Sequence, residues 1–192
     1  MSHFFAYLSR MKLIQRWGLM RNTRTENIQE HSLQVAMVAH ALAMIRNRFY
    51  GGAVNPERVM ALGVYHEVSE VITGDLATPI KYFNPEIQNA YLNIEELAKE
   101  RLHQMLPEEL KVGYQPYLFR QAEDEEEWSL VKAADKICAY LKCVEELKTG
   151  NEEFHKAEKK IRRELADYQM PEIEYFLQTF VPSFSLTLDE LN

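Results

Sequence analysis

The stretch GVYHEVSEVITGD, residues 63–75, is the most informative segment of this chain, because its apolar positions repeat with helical spacing around the polar pair His66 and Glu67. Adjacent side chains on a helix point about 100° apart, so this pair can converge only on a group that lies between the two directions. A metal ion is such a group. The stretch therefore predicts an amphipathic helix that carries one corner of a metal site.

Two further candidate ligands lie on other predicted helices. His31 falls in the first turn of ENIQEHSLQVA, residues 26–36, and Asp135 interrupts the apolar run LVKAADKICAYL, residues 130–141. A carboxylate in apolar surroundings is costly unless it is paired, hydrogen-bonded or bound to a metal. An ion pair with a lysine or arginine remains an open alternative for Asp135.

The spacing of these residues excludes two familiar metal motifs. A zinc metalloprotease helix would read HExxH, whereas Glu70 stands four positions after His66. A di-iron carboxylate bundle would need two Glu-x-x-His units, and no pair here fits. His40 lies nine residues after His31 and should face about 180° away, so it is not a candidate. A solvated acidic stripe formed by Glu67 and Glu70 stays open as the alternative.

Composition predicts a soluble globular protein. Of 192 residues, 46% are hydrophobic and 27% charged, and the net charge of −7 argues against a nucleic acid polymer as partner. The sequence has no apolar run long enough for a membrane span and no continuous apolar core for a signal peptide, which predicts a cytoplasmic protein. Cys138 and Cys143 should lie about 140° apart on one helix, and we expect them to remain unbridged, reduced thiols.

Helical periodicity continues along nearly the whole chain, which predicts an all-α fold with a single domain over residues 1–192. A first helix, HFFAYLSRMKLIQRW, should end near Trp17. Asn27 with Glu30 resembles a capping box, and two Asn-Pro pairs mark further helix starts. The later helices are expected at 27–48, 56–74 with His66 inside it, 85–106, a short segment after Pro107, a segment from the acidic run at 123–127 to Gly150-Asn151, 152–168 and 171–180.

Several long segments agree in order and spacing with one known family. These segments are HFFAYLSRMKLIQRW, MRNTRTENIQEHSLQVAMVAHALA, YHEVSEVITGDLATPIKYFN, KAADKICAYLKCVEEL and EYFLQTFVPSFSLTLDE. With His31, then His66 beside a carboxylate, then Asp135, the chain resembles the HD-domain metal-dependent phosphohydrolases, and within them the bacterial 5′-deoxynucleotidases. The resemblance covers essentially the whole chain.

The resemblance implies hydrolysis of deoxyribonucleoside 5′-monophosphates to deoxynucleoside and phosphate by a homodimer, and the lack of a long apolar run predicts no membrane partner. Arg16 would orient the 5′-phosphate, Trp17 would crowd the 2′ position of the sugar, and Glu70 would act as acid or base at the leaving oxygen. A divalent metal such as Co or Mn would be held by His31, His66, Glu67 and Asp135. The implied substrate-binding residues are Arg16, Trp17, His31, Glu67, Asp75, Leu76, Ala77, Thr78 and Asp135.

Two positions depart from the family pattern. Glu67 stands where the family has aspartate, and its extra methylene moves the carboxylate by about 1.5 Å, whereas ligand distances tolerate about 0.2 Å. The alternative is therefore a nucleotide-binding HD-domain protein with weakened or lost catalysis. Ala77 replaces a usual proline, which loosens the loop by about 0.4–1 kcal/mol. Two further alternatives stay open: Trp17 as a simple core anchor, and a helical scaffold without a nucleotide pocket.

Overall fold

Residues 1–191 are described by a computed structural model, and these residues form helices and turns with no β-strand. The predicted all-α fold is confirmed. The α-helices are α1 (Phe4–Leu8), α2 (Ile28–Phe49), α3 (Pro56–Tyr65), α4 (Glu70–Thr73), α5 (Thr78–Lys81), α6 (Pro85–Gln104), α7 (Glu108–Leu118), α8 (Glu125–Lys148), α9 (His155–Asp167) and α10 (Pro171–Thr179). Short 3₁₀ turns cover Ser9–Leu13, Ala122–Asp124, Glu152–Phe154, Val181–Ser185 and Leu188–Leu191.

The helices α2, α3 and α6 begin at the capping residues that the sequence predicts. The Asn27 side chain accepts from the backbone N–H groups of Gln29 and Glu30, both at 3.0 Å, and Glu30 accepts from Asn27 N–H at 3.3 Å. This reciprocal capping box begins α2. Proline occupies the first turn of both α3 and α6, after asparagine caps that accept backbone hydrogen bonds.

Helices α2, α3 and α8 form the centre of the molecule, and their apolar faces bury the larger of two cores. The helices α2 and α3 are in close contact where Gly63 meets Ala36. A Cβ atom at position 63 would lie 2.8 Å from the Cα of Ala36, so only glycine fits this contact. Because His31 lies in the first turn of α2 and His66 directly follows the last residue of α3, the close packing brings both histidines to one end of the pair.

The second core joins the N-terminal segment to α4, α6 and α7. It is centred on Phe4, which is fully buried and meets Tyr114 edge to face at 5.2 Å between ring centres. No helix within residues 1–191 has the length and apolar character needed to cross a bilayer.

The predicted N-terminal helix ending near Trp17 is wrong. The chain leaves helical geometry after Leu13 because its backbone hydrogen bonds go to a later segment instead: Arg16 N–H donates to the Glu26 carbonyl at 2.8 Å, and Ile28 N–H donates to the Ile14 carbonyl at 3.0 Å. Trp17 itself has φ of 58°, in the left-handed region. The segment 14–28 is thus a short antiparallel loop that turns through Trp17.

The single helix predicted over 56–74 is also interrupted. Helix α3 ends at Tyr65 and α4 starts at Glu70, and between them the bonds tighten to three-residue spacing, from Val68 N–H to Tyr65 O and from Glu70 N–H to Glu67 O. His66 contributes to the break, because its ring donates to the Gly63 carbonyl at 2.7 Å.

Smaller differences affect other predicted boundaries. The helix expected to reach Gly150-Asn151 ends at Lys148, and the expected loop after Gly74 contains the short helix α5. The first turn of the predicted helix 152–168 is 3₁₀ rather than α. Cys138 and Cys143 are both buried and free, as predicted.

Candidate metal centre

Four predicted ligands come together at one end of the central helices. His31 comes from the first turn of α2, His66 from the end of α3, Glu67 from the turn after it, and Asp135 from the middle of α8. One potential ligand atom from each lies within 4.8 Å of the other three. This spacing is that of side chains around a shared ion, and it unites positions that are up to 104 residues apart.

Three buried atoms of the cluster residues have no hydrogen-bond partner among the described residues: His31 Nδ1, His66 Nε2 and Glu67 Oε2. His66 Nδ1 is engaged with the Gly63 carbonyl, which leaves Nε2 facing the cluster without a partner, and Glu67 Oε2 is likewise unpaired. A backbone carbonyl bonded to one ring nitrogen fixes the tautomer that leaves the other free to ligate a metal. Buried acceptors without partners are costly, and a cation would satisfy both His66 Nε2 and Glu67 Oε2. The residues therefore fit a divalent metal.

The protonation states suit metal binding as well. Burial opposes ionisation of Glu67, but Arg16 and the neighbouring histidines hold the pKa of its carboxyl below the ordinary value. For Asp135, burial acts in the same opposing direction, and the hydrogen bond from His31 Nε2 at 2.9 Å with the nearby charges lowers the pKa. Burial lowers the pKa of His66. Ionised carboxylates beside a neutral imidazole are the forms that ligate metals.

Arg16 lies directly beside these ligands. Its Nη1 donates to Glu67 Oε1 at 2.6 Å, its Nε donates to Glu26 Oε2 at 3.1 Å, and its Nη2 is 3.9 Å from Asp135 Oδ1. Burial disfavours its charge, but these carboxylates outweigh that effect and raise the pKa of the guanidinium. Arg16 is therefore a fixed, permanently charged donor at the edge of the cluster.

Glu26 was not predicted as a site residue. It is a partner of Arg16 through both its side chain and its backbone carbonyl. The sequence around Glu26 does not distinguish it from other acidic residues in loops. Its contact with Arg16 depends on the antiparallel pairing within segment 14–28, which the sequence pattern does not show.

Glu70 is a second carboxyl near the cluster, and it differs sharply from Glu67. It is 6% exposed, its Oε2 has no hydrogen-bond partner among the described residues, and it begins α4. Burial, together with the negative charges of Glu67 and Asp75, raises the pKa of its carboxyl to about 9. At neutral pH Glu70 is thus a neutral acid that can donate a proton.

The predicted pocket loop follows Gly74, which adopts a positive φ of 72°. Burial raises the pKa of Asp75, and the opposing effect of Arg16 on that pKa places the two residues in the same electrostatic region. Ala77 has φ of −54°, close to the value proline would impose, so alanine retains the backbone conformation at this position. The residues of the loop are Asp75, Leu76 and Ala77, all half-buried, and Thr78, which is exposed.

Trp17 is half-buried rather than a full core residue. Its ring lies 5.4 Å from the Phe154 ring, centre to centre, and its buried Nε1 has no hydrogen-bond partner within the described chain. Its backbone conformation is one that non-glycine residues rarely adopt. His40 is outside the ligand cluster, as its spacing from His31 predicts.

Known proteins resemble this chain over nearly its whole length. Residues 3–184 match the profile of a family described as 5′-deoxynucleotidase YfbR-like. A 5′-deoxynucleotidase of Vibrio cholerae serotype O1 is 59% identical, covering 100% of this chain and 98% of the relative, and one of Yersinia pestis is 58% identical with the same coverage.

Solved structures resemble the fold at lower sequence identity. An HD-domain phosphohydrolase of Listeria innocua superposes with a TM-score of 0.81 at 22% identity, over 95% of this chain and 88% of that one. An HD phosphohydrolase of cyanophage S-2L, bound to dA and one catalytic Zn²⁺ ion, has a TM-score of 0.60 at 19% identity, over 93% and 96% of the two chains.

Proposed function

The chain belongs to the YfbR-like 5′-deoxynucleotidase family, and from that premise we propose that its ligand cluster is the catalytic metal centre of a deoxyribonucleoside 5′-monophosphatase. The enzyme is a phosphohydrolase that releases phosphate and a deoxynucleoside. One observation carries the assignment of the centre: His31, His66, Glu67 and Asp135 converge within 4.8 Å, with unpaired buried acceptors beside a fixed arginine.

The ligand set suits a divalent transition metal, and Co or Mn is our proposed choice, because imidazole and carboxylate ligands accept several such ions. When bound, the metal supplies Lewis-acid chemistry and lowers the pKa of water at the site. Arg16 then binds the phosphate: Glu67 and Glu26 hold its guanidinium in place, and positioned positive charge is the main requirement of phosphoryl transfer.

The leaving 5′-oxygen needs a proton, and Glu70 is placed to give one. Its raised pKa keeps the carboxyl protonated at neutral pH, which is the state a general acid requires. Trp17 forms the wall that would crowd a ribose 2′-hydroxyl, and Asp75, Leu76, Ala77 and Thr78 line the substrate pocket. Rejecting an added hydroxyl by steric contact alone gives moderate discrimination, on the order of 100-fold.

The alternative, a nucleotide-binding protein with weakened catalysis, is favoured by one contact. Glu67 Oε1 accepts a hydrogen bond from Arg16 at 2.6 Å, so this carboxylate would have to bind the arginine and the metal at the same time. The geometry supports retained activity more strongly, since the second oxygen, Oε2, has no hydrogen bond within the described chain and lies 3.8 Å from His31 Nε2, inside the ligand cluster.

We also propose that the protein acts as a cytoplasmic homodimer without membrane or nucleic acid polymer partners. Exposed apolar side chains on α2 and α3, which we take as one stripe, are Leu33, Met37, Met44, Met60 and Val64. Burying such a stripe against a second copy would be favourable. Light scattering should give twice the chain mass, and Met37→Glu should shift it towards the monomer; a monomeric wild type would contradict the proposal.

Phosphate release from dAMP, dGMP and dTMP, and from the matching ribonucleotides, tests the function with Co, Mn or Zn added after chelator treatment. We expect metal-dependent release that favours deoxyribonucleotides and is lost in His31→Ala. His40→Ala is the matched control, because this histidine lies on the same helix outside the cluster. It should retain activity.

Other outcomes identify the alternatives. Nucleotide that raises the melting temperature without turnover would favour a binding protein. If neither metal nor nucleotide changes the melting temperature, the helical scaffold is the better description. Equal rates on ribonucleotides would overturn the role of Trp17.

A further inference from the structure

We propose that Lys142 and Glu146, a buried ion pair on α8, position the loop that carries Arg16 and Trp17 and thereby help to set the preference for deoxyribose. The inference rests on the proposed function of those two loop residues. Lys142 and Glu146 are positioning residues, because they act on the substrate only through the loop.

The pair is buried, and its polar atoms form hydrogen bonds with the loop. Lys142 is 5% exposed and Glu146 is 1% exposed, and they bond to each other one helical turn apart. Glu146 also accepts from Thr23 N–H at 2.9 Å, Thr23 Oγ1 at 2.6 Å and Arg24 N–H at 3.2 Å. Lys142 Nζ donates to the Arg24 carbonyl at 2.5 Å. Most of these bonds hold loop backbone.

The anchored residues are directly connected to the phosphate-binding arginine. Two residues after Arg24, Glu26 accepts from Arg16 through its backbone carbonyl at 2.8 Å and its carboxylate at 3.1 Å. The Asn22 side chain donates to the carbonyl of Trp17 at 3.3 Å. Displacement of Thr23 and Arg24 would therefore move the segment that orients Arg16.

A second contact links the pair to the tryptophan ring. Lys142 Nζ lies 5.7 Å from the centre of the Phe154 ring, and the centre of the Trp17 ring lies 5.4 Å from the same point. Phe154 is fully buried and closely packed, so a shift of Lys142 would move the Phe154 ring and, with it, Trp17. The left-handed backbone of Trp17 persists only where its surroundings hold it.

The same helix carries the anchor and a metal ligand. Asp135, Lys142 and Glu146 are separated by seven and four residues, a spacing that returns to about the same helix face. One face of α8 thus holds Asp135 in the metal cluster and, about two to three turns away, the ion pair that holds the loop. The helix sets the distance between the metal and the sugar-facing wall.

The test compares three variants by kcat and KM for dAMP and AMP with metal present. Glu146→Gln keeps the shape but removes the charge. Thr23→Val removes the hydroxyl contacts with Glu146 and Thr149 at an exposed position, a change that should not prevent folding. Glu172→Gln is the matched control: Glu172 is equally buried and ion-paired, with Arg46 at 3.0 Å, but it lies on α10 away from the loop.

We expect the deoxyribose preference, the ratio of kcat/KM for dAMP to that for AMP, to fall at least about fivefold in Glu146→Gln and by less in Thr23→Val. The control should keep the wild-type ratio even if it is less stable. If the ratio is unchanged in both Glu146→Gln and Thr23→Val, the inference is overturned. Failure of the proposed function looks different, since the wild type itself would then release no phosphate or show no preference, and the inference would fall with it.

Discussion

Two buried charged clusters on α8 differ in how completely their polar atoms are satisfied. Around Asp135, the buried atoms His66 Nε2 and Glu67 Oε2 have no partner in the part of the chain described. Around Glu146, both carboxylate oxygens accept several hydrogen bonds. The saturated cluster stabilises the fold, whereas the unsaturated cluster retains coordination capacity for a ligand.

This contrast distinguishes, on a single helix, charged residues that stabilise the fold from charged residues that bind a ligand. It follows that loss of a group in the saturated cluster should affect stability first, while loss of a group in the unsaturated cluster should affect activity first. Four changes test that division.

The largest expected effect is on stability, in Glu146→Ala. Removal of the carboxylate leaves the ammonium of Lys142 buried without its partner, and breaking a buried pair in this way costs about 3–5 kcal/mol. The free energy of unfolding, measured with urea, should fall accordingly. A loss below about 1 kcal/mol would show that the cluster is not a structural anchor.

Asp135→Asn should have the opposite effect. The asparagine oxygen can still accept from His31, so the melting temperature should change little, whereas the lost charge weakens metal binding. Metal-dependent kcat/KM should fall by about 100-fold or more, since outer partners of metal sites alone are worth 10–100-fold. Full activity in this variant would exclude Asp135 as a ligand, and retained activity in Asn47→Ala, a polar residue remote from the cluster on α2, serves as the control.

Glu67→Asp tests how one carboxylate serves two partners. Aspartate is too short to keep both the Arg16 contact and the metal, so we expect the contact to be lost and kcat/KM to fall about 3- to 10-fold, equivalent to about 1 kcal/mol. Steady-state kinetics with dAMP measures this change. A gain in activity would instead support the alternative that glutamate at this position weakens catalysis.

The smallest effect is the acid dependence of stability. Burial opposes ionisation of Glu146, but hydrogen bonds from Lys142, Thr23 and Asn151 hold the pKa of its carboxyl below the ordinary value. A depressed pKa in the folded state means that this stabilisation is complete above about pH 5 and is lost as the pH falls. The stability difference between wild type and Glu146→Gln should therefore be largest near neutral pH and narrow below about pH 4. A constant difference would contradict this.

The sequence was sufficient to locate residues whose roles depend on local signals. The asparagine caps and the capping box gave the starts of α2, α3 and α6, and His31 and Asp135 stood out against helical patterns. Local spacing also rejected His40. The four candidate ligands lie together in the structure, while their roles in catalysis remain predictions.

The rest depended on contacts that leave no local pattern. Thr23 bonds to Glu146 across 123 residues, and the antiparallel loop around Trp17 replaces a helix that the apolar spacing of residues 3–17 favoured. The break in the helix after Tyr65 was also not predicted. The helical spacing of apolar residues continues through Val68 and Val71, so hydrophobic periodicity does not reveal a short stretch in which the backbone hydrogen bonds change to three-residue spacing.

The contact of Gly63 with Ala36 has a consequence for variation in this chain. Any side chain at position 63 would meet the backbone of α2 and separate the helix ends that present the two histidines. In a library of random substitutions, position 63 should therefore be as intolerant as a ligand position, although it touches neither ion nor nucleotide. A single hydrogen atom in place of a methyl group sets the spacing of the metal centre.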